Sequence, residues 1–292
     1  MAERVQIAGP RGQLEVALSG PSDGQALLFH TGTPSGGAMF RPLVEIGAQR
    51  GLRHVVYSRP GYGGSERCAG RSVADCAPDV AAIADALGIE RFFVAGGSGG
   101  GPHVLACAAL LPERVIAAAT IASVAPRFAE GLNWLDGMGA ENLEEEAAAE
   151  AGPQQLLAFL EPFREKMMSA TGRELYAVLG DLLSEVDRRV LTGEYAEHLA
   201  EGGRAGLAPG VYGWFDDDLA FIRDWGFDLQ DVSRPVTIWQ GAQDRMVPPA
   251  HGTWLAANVP GARAKLLPDH GHLSLSLALY GEILDDLIAS AN

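Results

Sequence analysis

Short apolar runs of the β type alternate with helical patterns along most of this chain, and this alternation limits its fold more than any other feature. The runs are rich in branched and aromatic residues, and several, such as ALLF and RFFVAG, are almost entirely apolar. Strands of this kind fit a sheet that is covered on both faces, which is typical of parallel sheets. The pattern therefore predicts an α/β fold with a doubly wound, mostly parallel, eight-stranded sheet.

The positions of the elements follow from the same periodicities. The first two runs flank the turn GPRGQ and are expected to form an antiparallel hairpin. The predicted strands are residues 4–8, 14–18, 26–30, 54–58, 92–95, 115–121, 236–240 and 264–267. The predicted core helices are residues 39–49, 73–87, 102–111, 251–258 and 275–289.

The alternation stops after residue 123 and resumes at residue 234. The residues between are helical by composition, as in ENLEEEAAAEA and QQLLAFLEPF. Residues 127–228 contain 21 acidic and 8 basic residues, so this segment carries −13 of the net charge of −15. We therefore expect an α/β core formed by residues 1–125 and 233–292, with residues 126–232 inserted as a helical cap.

The overall charge and the cysteines exclude several classes of protein. A net charge of −15 without a basic stripe argues against nucleic acid as a partner. The start, MAERVQIAGP, has no apolar signal-peptide core, and no apolar run of 18 residues follows, so no membrane partner and a cytoplasmic location are expected. Cys68 and Cys76 are interpreted as free thiols, with a pairing of the two as the alternative.

Residues 94–103, VAGGSGGGPH, place Ser98 among five glycines between a predicted strand and a predicted helix. This is the G-x-S-x-G pattern of a nucleophile elbow in the strand–turn–helix context that it requires. Glycines at a sharp turn avoid collisions that side chains would make with neighbouring strands. A flexible linker does not fit the apolar flanks, and the spacing G-x-G-x-x-G of a dinucleotide-binding turn is not met because Pro102 stands at its sixth position.

With this elbow the chain resembles the α/β-hydrolase superfamily, and the resemblance extends over essentially the whole sequence. It implies the chain order serine, acid, histidine for a catalytic triad. The GH pair in LLPDHGHLS points to His272 as the base, with His270 as the alternative. QGAQDRMVPP is similar to the family loop G-x-x-D-x-x-x-P, which points to Asp244 as the acid, and Asp269 is a weaker alternative.

The resemblance also implies an oxyanion hole. One donor would be the backbone N–H of Gly99, the residue after the nucleophile. The loop HTGTPSGG resembles the family's H-G-x-P loop and points to the N–H of Thr33, with Gly32 as the alternative. In YSRPGYGGS, Ser58 stands where the family often has an aspartate, and we interpret residues 59–65 as architectural. Neither this loop nor the elbow has the D-Q-R-G and G-G-S-W-G patterns of proline iminopeptidases.

Aromatic residues of the cap are expected to contribute to the substrate pocket. Trp214, Phe215 and Trp225 lie in the passage that returns to the core and are the candidates for contact with substrate. The run of aspartates at 216–218 is interpreted as a solvated helix start. No metal-binding motif is present in the sequence, and no cofactor is expected.

These residues predict a serine hydrolase that acts on a small-molecule substrate. Ser98 would attack a small or medium carboxylic ester, or a related lactone or amide, with His272 as base and Asp244 orienting it. The alternative is a non-hydrolytic use of the same fold, as a ligand sensor or as a lyase or cyclase acting on a biosynthetic intermediate.

Overall fold

Eight strands form a single sheet in the computed structural model, which describes residues 2–291. Their order across the sheet is β1-β2-β4-β3-β5-β6-β7-β8. The strands are β1 Glu3–Gly9, β2 Gly12–Ser19, β3 Gln25–His30, β4 Leu52–Tyr57, β5 Phe92–Gly97, β6 Val115–Ile121, β7 Val236–Gly241 and β8 Arg263–Leu267. Each of the eight predicted strands overlaps one of these.

One strand of the sheet, β2, runs opposite to the other seven. β1 and β2 pair antiparallel through the tight turn between Gly9 and Gly12, and β2 pairs antiparallel with β4. All the remaining neighbours pair parallel. The predicted mostly parallel α/β sheet is therefore confirmed.

Eleven α-helices are found in residues 2–291. Five belong to the core and were predicted to within about three residues at each end, with α11 beginning three residues earlier than expected, at His272. The core helices are α1 Arg41–Ala48, α2 Cys76–Ala86, α3 Gly101–Leu110, α10 Pro249–Asn258 and α11 His272–Ala289.

The core helices cover the sheet on both faces, which explains the apolar strands. Val80 of α2, Leu105 of α3 and Leu255 of α10 are buried in the cluster on one face. Leu43 of α1 and Ile283 of α11 are buried in the cluster on the other face. Burying a side chain of this size contributes about 1.5–3 kcal/mol, so the two clusters supply most of the favourable free energy of the core.

Between β6 and β7 the chain forms six further helices and no strand within the described residues. They are α4 Ala140–Ala151, α5 Pro153–Ser169, α6 Leu175–Leu179, α7 Glu185–Val190, α8 Gly193–Leu207 and α9 Tyr212–Phe221. They bury an apolar cluster of their own, which includes Leu156, Leu160 and Leu207. We refer to these helices as the cap.

Parallel pairing aligns the carboxyl ends of the central strands at one edge. His30 at the end of β3 pairs with Gly96 of β5, and Gly97 pairs with Ile121 at the end of β6. Ile121 in turn pairs with Trp239 near the end of β7. The loops that follow β3, β5 and β7 therefore meet at this edge, where open α/β sheets bind ligands.

Within residues 2–291, no helix combines the length and the apolar composition needed to cross a bilayer.

Candidate active site

Ser98 stands at the tip of a sharp turn between β5 and α3. Its φ is +54°, a left-handed conformation that costs a non-glycine residue on the order of 1–3 kcal/mol. A 3₁₀ turn over Ser98–Gly100 then leads directly into α3. A Cβ at Gly100 would collide with the carbonyl oxygen of His30, so the neighbouring strand allows only glycine there. The predicted nucleophile elbow thus has the strained geometry that exposes a serine side chain.

Asp244 lies in the loop after β7 and is almost fully buried. Its Oδ1 accepts hydrogen bonds from the backbone N–H groups of Met246 (2.9 Å) and Val247 (2.8 Å). Its Oδ2 lies 2.8 Å from Nδ1 of His272 and accepts a weaker hydrogen bond from the Gln240 amide at 3.4 Å. The carboxylate is thereby fixed in orientation, with one oxygen directed at the imidazole.

His272 is the first residue of α11 and borders the same cavity as Ser98. Because the carboxylate of Asp244 is an acceptor, Nδ1 of His272 carries a proton and donates it, and this leaves Nε2 as the free basic nitrogen. Burial lowers the pKa of His272, but the charge of Asp244, its hydrogen bond and the charge of Asp187 outweigh burial. The net effect is a pKa raised from its ordinary value near 6.5.

The two alternative residues lie elsewhere. Asp269 is exposed, and His270 is half-buried in the loop before α11. The backbone oxygen of His270 accepts a hydrogen bond from Gln243, and neither residue borders a cavity at Ser98. Of the candidate bases and acids, the structure therefore brings together His272 and Asp244.

The loop after β3 lies directly against the elbow. A Cβ at Gly32 would stand 3.1 Å from Cβ of Ser98, and one at Gly99 would collide with Oγ1 of Thr33. The hydroxyl of Thr33 donates to Asp217 at 2.8 Å, so its side chain is engaged and only its backbone N–H is available. Within residues 2–291, the N–H groups of Gly32 and Thr33 donate no hydrogen bond to the protein. Both candidate donors of this loop are therefore placed beside Ser98.

Two cavities meet at Ser98. The first, about 250 Å³, is bordered by Ser98, His272 and mostly apolar side chains, and we call it the apolar cavity. The side chains include Met39, Phe40, Met167, Leu175, Tyr195 and His198. The second, about 140 Å³, is bordered by Ser98 and Gly99 and by several carboxyl groups, and we call it the acidic cavity. The carboxyl groups are Glu141, Glu145, Glu146 and Asp218.

Comparison with known proteins identifies the family. The sequence model of the α/β hydrolase fold family matches residues 25–278. This chain belongs to the α/β hydrolase fold family. It is 30% identical over 232 residues to the pimeloyl-(acyl-carrier protein) methyl ester esterase of Nitrosomonas europaea, covering 79% of this chain and 81% of that protein.

Two further comparisons cover most of this chain, and the second of them shows the same fold. The chain is 29% identical over 225 residues to the dihydrolipoyllysine-residue acetyltransferase component of the acetoin cleaving system of Cupriavidus necator. That match covers 75% of this chain but only 51% of the relative, so the chain spans about half of that protein's length. An α/β hydrolase fold protein from Nakamurella multipartita superimposes with a TM-score of 0.67 at 24% identity, covering 99% of this chain and all of that one.

The structure places the three predicted pocket aromatics of this α/β hydrolase in different environments. Trp214 borders the acidic cavity and donates from Nε1 to Oε1 of Glu145 at 2.5 Å. Phe215 packs in the apolar cluster of the cap, and Trp225 packs in the core cluster that contains Val73. Neither ring borders a cavity at Ser98, so the expectation for Phe215 and Trp225 is corrected. Both rings pack against other buried side chains, because α9 and the segment after it lie against the core.

Several pocket residues could not be singled out from the sequence. Met167 of α5 and Tyr195 and His198 of α8 border the apolar cavity. Their helices have apolar stripes, but a stripe does not distinguish residues that pack from residues that border a cavity.

The aspartates at 216–218 are buried, and their interpretation as a solvated helix start was wrong. Asp217 is fully buried between the guanidinium groups of Arg59 and Arg71, at 2.6 Å from each. It also accepts hydrogen bonds from the hydroxyls of Thr33 and Tyr62. Burial raises the pKa of Asp217, but the two arginines outweigh it and hold that pKa far below its usual range.

The other two aspartates have different environments. Asp216 pairs at 2.8 Å with Arg67, whose side chain is partly exposed while that of Asp216 is buried. Asp218 faces the acidic cavity. Because Arg59 and Arg71 belong to the segment after β4, the Asp217 network anchors α9 of the cap to the core next to Thr33. Arg59 therefore has a structural role, in agreement with the interpretation of residues 59–65 as architectural.

Asp187, in α7 of the cap, was missed by the sequence analysis. Its carboxylate accepts the backbone N–H groups of His272, Leu273 and Ser274, each at 2.9 Å, and the hydroxyl of Ser184 at 2.8 Å. It thus caps the first turn of α11, where Gly271 offers no side chain and where a Cβ would collide with the carboxylate. The local pattern Ser184-x-x-Asp187 indicates a helix start but gives no sign of this distant partner.

One cluster of potential metal ligands occurs within residues 2–291, formed by His30, Cys76 and Cys107. The two sulfurs lie 4.0 Å apart, and Nε2 of His30 lies 3.6 Å from the sulfur of Cys107. Burial raises the pKa of the Cys76 thiol and lowers the pKa of His30, which favours the uncharged forms. Since metals bind thiolates, we interpret this cluster as part of the core. All three cysteines, Cys68 included, are free, as the sequence analysis expected.

Proposed function

We propose that this chain is a serine hydrolase that cleaves small or medium carboxylic esters, or related lactones or amides, through an acyl-enzyme on Ser98. The observation that carries the proposal is the placement of Ser98 and His272 on one cavity, with His272 held at 2.8 Å by Asp244. The similarity to a methyl ester esterase over most of both chains supports the choice of esters.

Acylation would begin with attack of Ser98 Oγ on the carbonyl carbon of the substrate. Nε2 of His272 takes the hydroxyl proton, and Asp244 stabilises the imidazolium that results. The oxyanion of the tetrahedral intermediate accepts hydrogen bonds from the N–H of Gly99 and from the N–H of Thr33 or Gly32. Each such donor is worth about 10²–10³-fold in rate.

The intermediate would then collapse with departure of the alcohol. His272 returns its proton to the leaving oxygen, and the acyl group stays bonded to Ser98. In deacylation, His272 removes a proton from water, the hydroxide oxygen attacks the acyl carbon, and Ser98 leaves with the proton from His272. Ester and water are thereby converted into acid and alcohol with the enzyme restored.

The test is to label the protein with a fluorophosphonate probe and to measure hydrolysis of short-chain nitrophenyl esters. We expect labelling of the wild type, no labelling of Ser98→Ala, and a loss of about 10³-fold or more in kcat for both Ser98→Ala and His272→Ala. His270→Ala is the matched control, because this imidazole lies two residues away and outside the cavities, and it should keep its activity.

Two outcomes would favour the non-hydrolytic alternatives. A wild-type protein that neither reacts with the probe nor cleaves any ester, lactone or amide of the panel would favour a ligand sensor. Turnover of a substrate that survives Ser98→Ala would favour a lyase or cyclase.

A further inference from the structure

The acidic cavity places four carboxyl groups next to the candidate nucleophile. Glu141, Glu145 and Glu146 come from α4, and Asp218 comes from α9. Ser98 and Gly99 border the same space, so a group bound there would be part of a substrate attacked by Ser98. The proposed catalytic cycle uses none of the four carboxyl groups.

These carboxyl groups lack the partners that buried charges usually have. One oxygen of Glu141, one of Glu146 and one of Asp218 are buried without a hydrogen-bond partner within residues 2–291. Asp218 is only 7% exposed and borders the cavity. The other oxygen of Glu141 accepts the backbone N–H of Asp181, and Glu145 accepts the indole N–H of Trp214 and shares a hydrogen bond with Asp218. An unpaired buried polar atom costs free energy, so three such oxygens around one space indicate a missing donor.

No cation of the described chain neutralises them. The charge of Arg127 lowers the pKa of Glu146 in part, but Arg127 forms its ion pair with Glu150. Arg59 and Arg71 are both occupied by Asp217. The four carboxyl groups form no ion pair within residues 2–291, so only bound protons or a bound cation can relieve the repulsion between their negative charges.

The four carboxyl groups do not meet as a metal site of three or more ligands. Within residues 2–291, the set of three or more His, Cys, Asp or Glu side chains whose ligand atoms all lie within 4.8 Å of one another consists of His30, Cys76 and Cys107. An ammonium group suits the arrangement better, because its three N–H donors point in different directions and reach separate acceptors.

The position of His272 decides which half of a substrate would enter the acidic cavity. His272 must protonate the leaving oxygen, and it borders the apolar cavity but not the acidic one. Gly99, a candidate oxyanion donor, borders the acidic cavity. The leaving alcohol therefore belongs in the apolar cavity, and the acyl part belongs in the acidic cavity.

We propose that the acidic cavity binds a protonated amine on the acyl part of the substrate, so that the chain acts on esters of amino-bearing acids with apolar alcohols. This inference rests on the proposed serine hydrolase function and names its substrate class. Asp218 and Glu146 bind the ammonium group, with Glu145 and Glu141 as further acceptors. The apolar side chains around His272 receive the alcohol.

The test compares esters in which an ammonium group replaces a methyl group of the same size. One pair is alanine benzyl ester and benzyl isobutyrate, and the other is 3-aminobutyric acid benzyl ester and benzyl isovalerate. For each pair, kcat/KM for the amino-bearing benzyl ester is divided by kcat/KM for its methyl-bearing analogue. This quotient is then divided by the same quotient of the rates of hydrolysis by hydroxide, and we call the result the corrected ratio. We expect a corrected ratio of at least about tenfold in one pair for the wild type, because hydrogen bonds to charged groups are the strong ones.

Variants test whether the acidic cavity causes the preference for the amino-bearing esters. Glu146→Gln and Asp218→Asn keep the shape of each side chain and should bring the corrected ratio close to one. Glu144→Gln is the matched control, since Glu144 is exposed on the same helix, and it should keep the wild-type ratio. Thermal unfolding should show that Glu146→Gln is at least as stable as the wild type, which separates loss of binding from loss of folding.

Two results would contradict the proposal in different ways. Cleavage of both esters of each pair with a corrected ratio near one, or a high ratio that survives both variants, overturns the amine site and leaves the hydrolase function standing. Absence of cleavage of all four esters, together with absence of fluorophosphonate labelling, overturns the hydrolase function itself.

Discussion

The carboxylate of Asp187, a residue of the cap, accepts the backbone N–H of His272 at 2.9 Å. The candidate catalytic base is therefore held from two sides: Asp244 of the core orients its imidazole, and Asp187 fixes its main chain. Because Asp187 is fully buried and carries charge, it also contributes to the raised pKa of His272. The cap thus contacts the candidate base directly.

Replacing Asp187 by asparagine should lower activity through His272. Asparagine keeps one acceptor oxygen but loses the charge and the second acceptor, so the first turn of α11 is less firmly fixed. We expect kcat to fall by about tenfold and the acidic limb of the kcat/KM profile to move to lower pH. Glu185→Gln, an exposed change on the same helix, is the control. A loss of activity with an unchanged pH profile would show that Asp187 serves stability alone.

Replacing Asp244 by asparagine should change both rate and pH dependence. His272 must be neutral to act as a base, and the anionic Asp244 favours the protonated form. The acidic limb of the wild-type kcat/KM profile should therefore lie above pH 6.5. It should move to lower pH when the negative charge of Asp244 is removed. We expect a loss of about 10³–10⁴-fold in kcat. Asp269→Asn should leave rate and limb unchanged, and the reverse pattern would assign the acid to Asp269.

Replacing Asp217 by asparagine should destabilise the fold strongly. It would leave the buried guanidinium groups of Arg59 and Arg71 without their anion, which costs about 3–5 kcal/mol. Asp216→Asn is the matched control on the same helix: Asp216 is also buried, but its single partner Arg67 is 35% exposed and can be hydrated when the pair is lost, so a smaller loss is expected. Urea unfolding measures both, and equal effects would contradict a special role for Asp217.

The acidic cavity should make stability depend on pH. Burial raises the pKa of Glu145 to about 7, and burial together with the charge of Glu145 raises the pKa of Glu146 to about 8. Between their unfolded values near 4.5 and these folded values, the folded state binds more protons than the unfolded state. The free energy of unfolding therefore falls as pH rises through this window. The charged and titratable groups near Glu146 are Glu145, Glu150, Arg127 and Asp218, and Asp218 also lies beside Glu145.

Urea unfolding at pH 5 and pH 8 measures this contribution. Glu146→Gln should lose less stability than the wild type between the two values, because glutamine does not ionise. Each pH unit over which the proton stays bound only in the folded state corresponds to about 1.4 kcal/mol. Glu144→Gln, on the exposed face, should follow the wild type, and identical curves for all three proteins would contradict the raised pKa of Glu146.

The sequence predicted those features whose signals are local. Strand and helix periods gave the alternation of the core, and the elbow around Ser98 is defined by five consecutive residues. Asp244 and His272 also stand in short loops with family patterns. In each case a few neighbouring residues form the pattern that indicates the chemical role. The family fold then brings these loops to one edge of the sheet.

The features that were missed depend on partners far along the chain. Asp187 caps a helix that begins 85 residues later, and Asp217 pairs with an arginine 158 residues earlier. A run of aspartates usually indicates a solvated surface, and nothing near residue 217 shows that Arg59 and Arg71 face it. The same limit applies to Phe215 and Trp225, because the sequence does not indicate whether an aromatic side chain packs against other side chains or borders a cavity.

The buried pair between Asp217 and Arg59 restricts how substrate and product can pass. Movement of the whole insertion as a rigid body would have to separate Asp217 from both Arg59 and Arg71. A movement of the other cap helices that leaves α9 in place would keep both ion pairs.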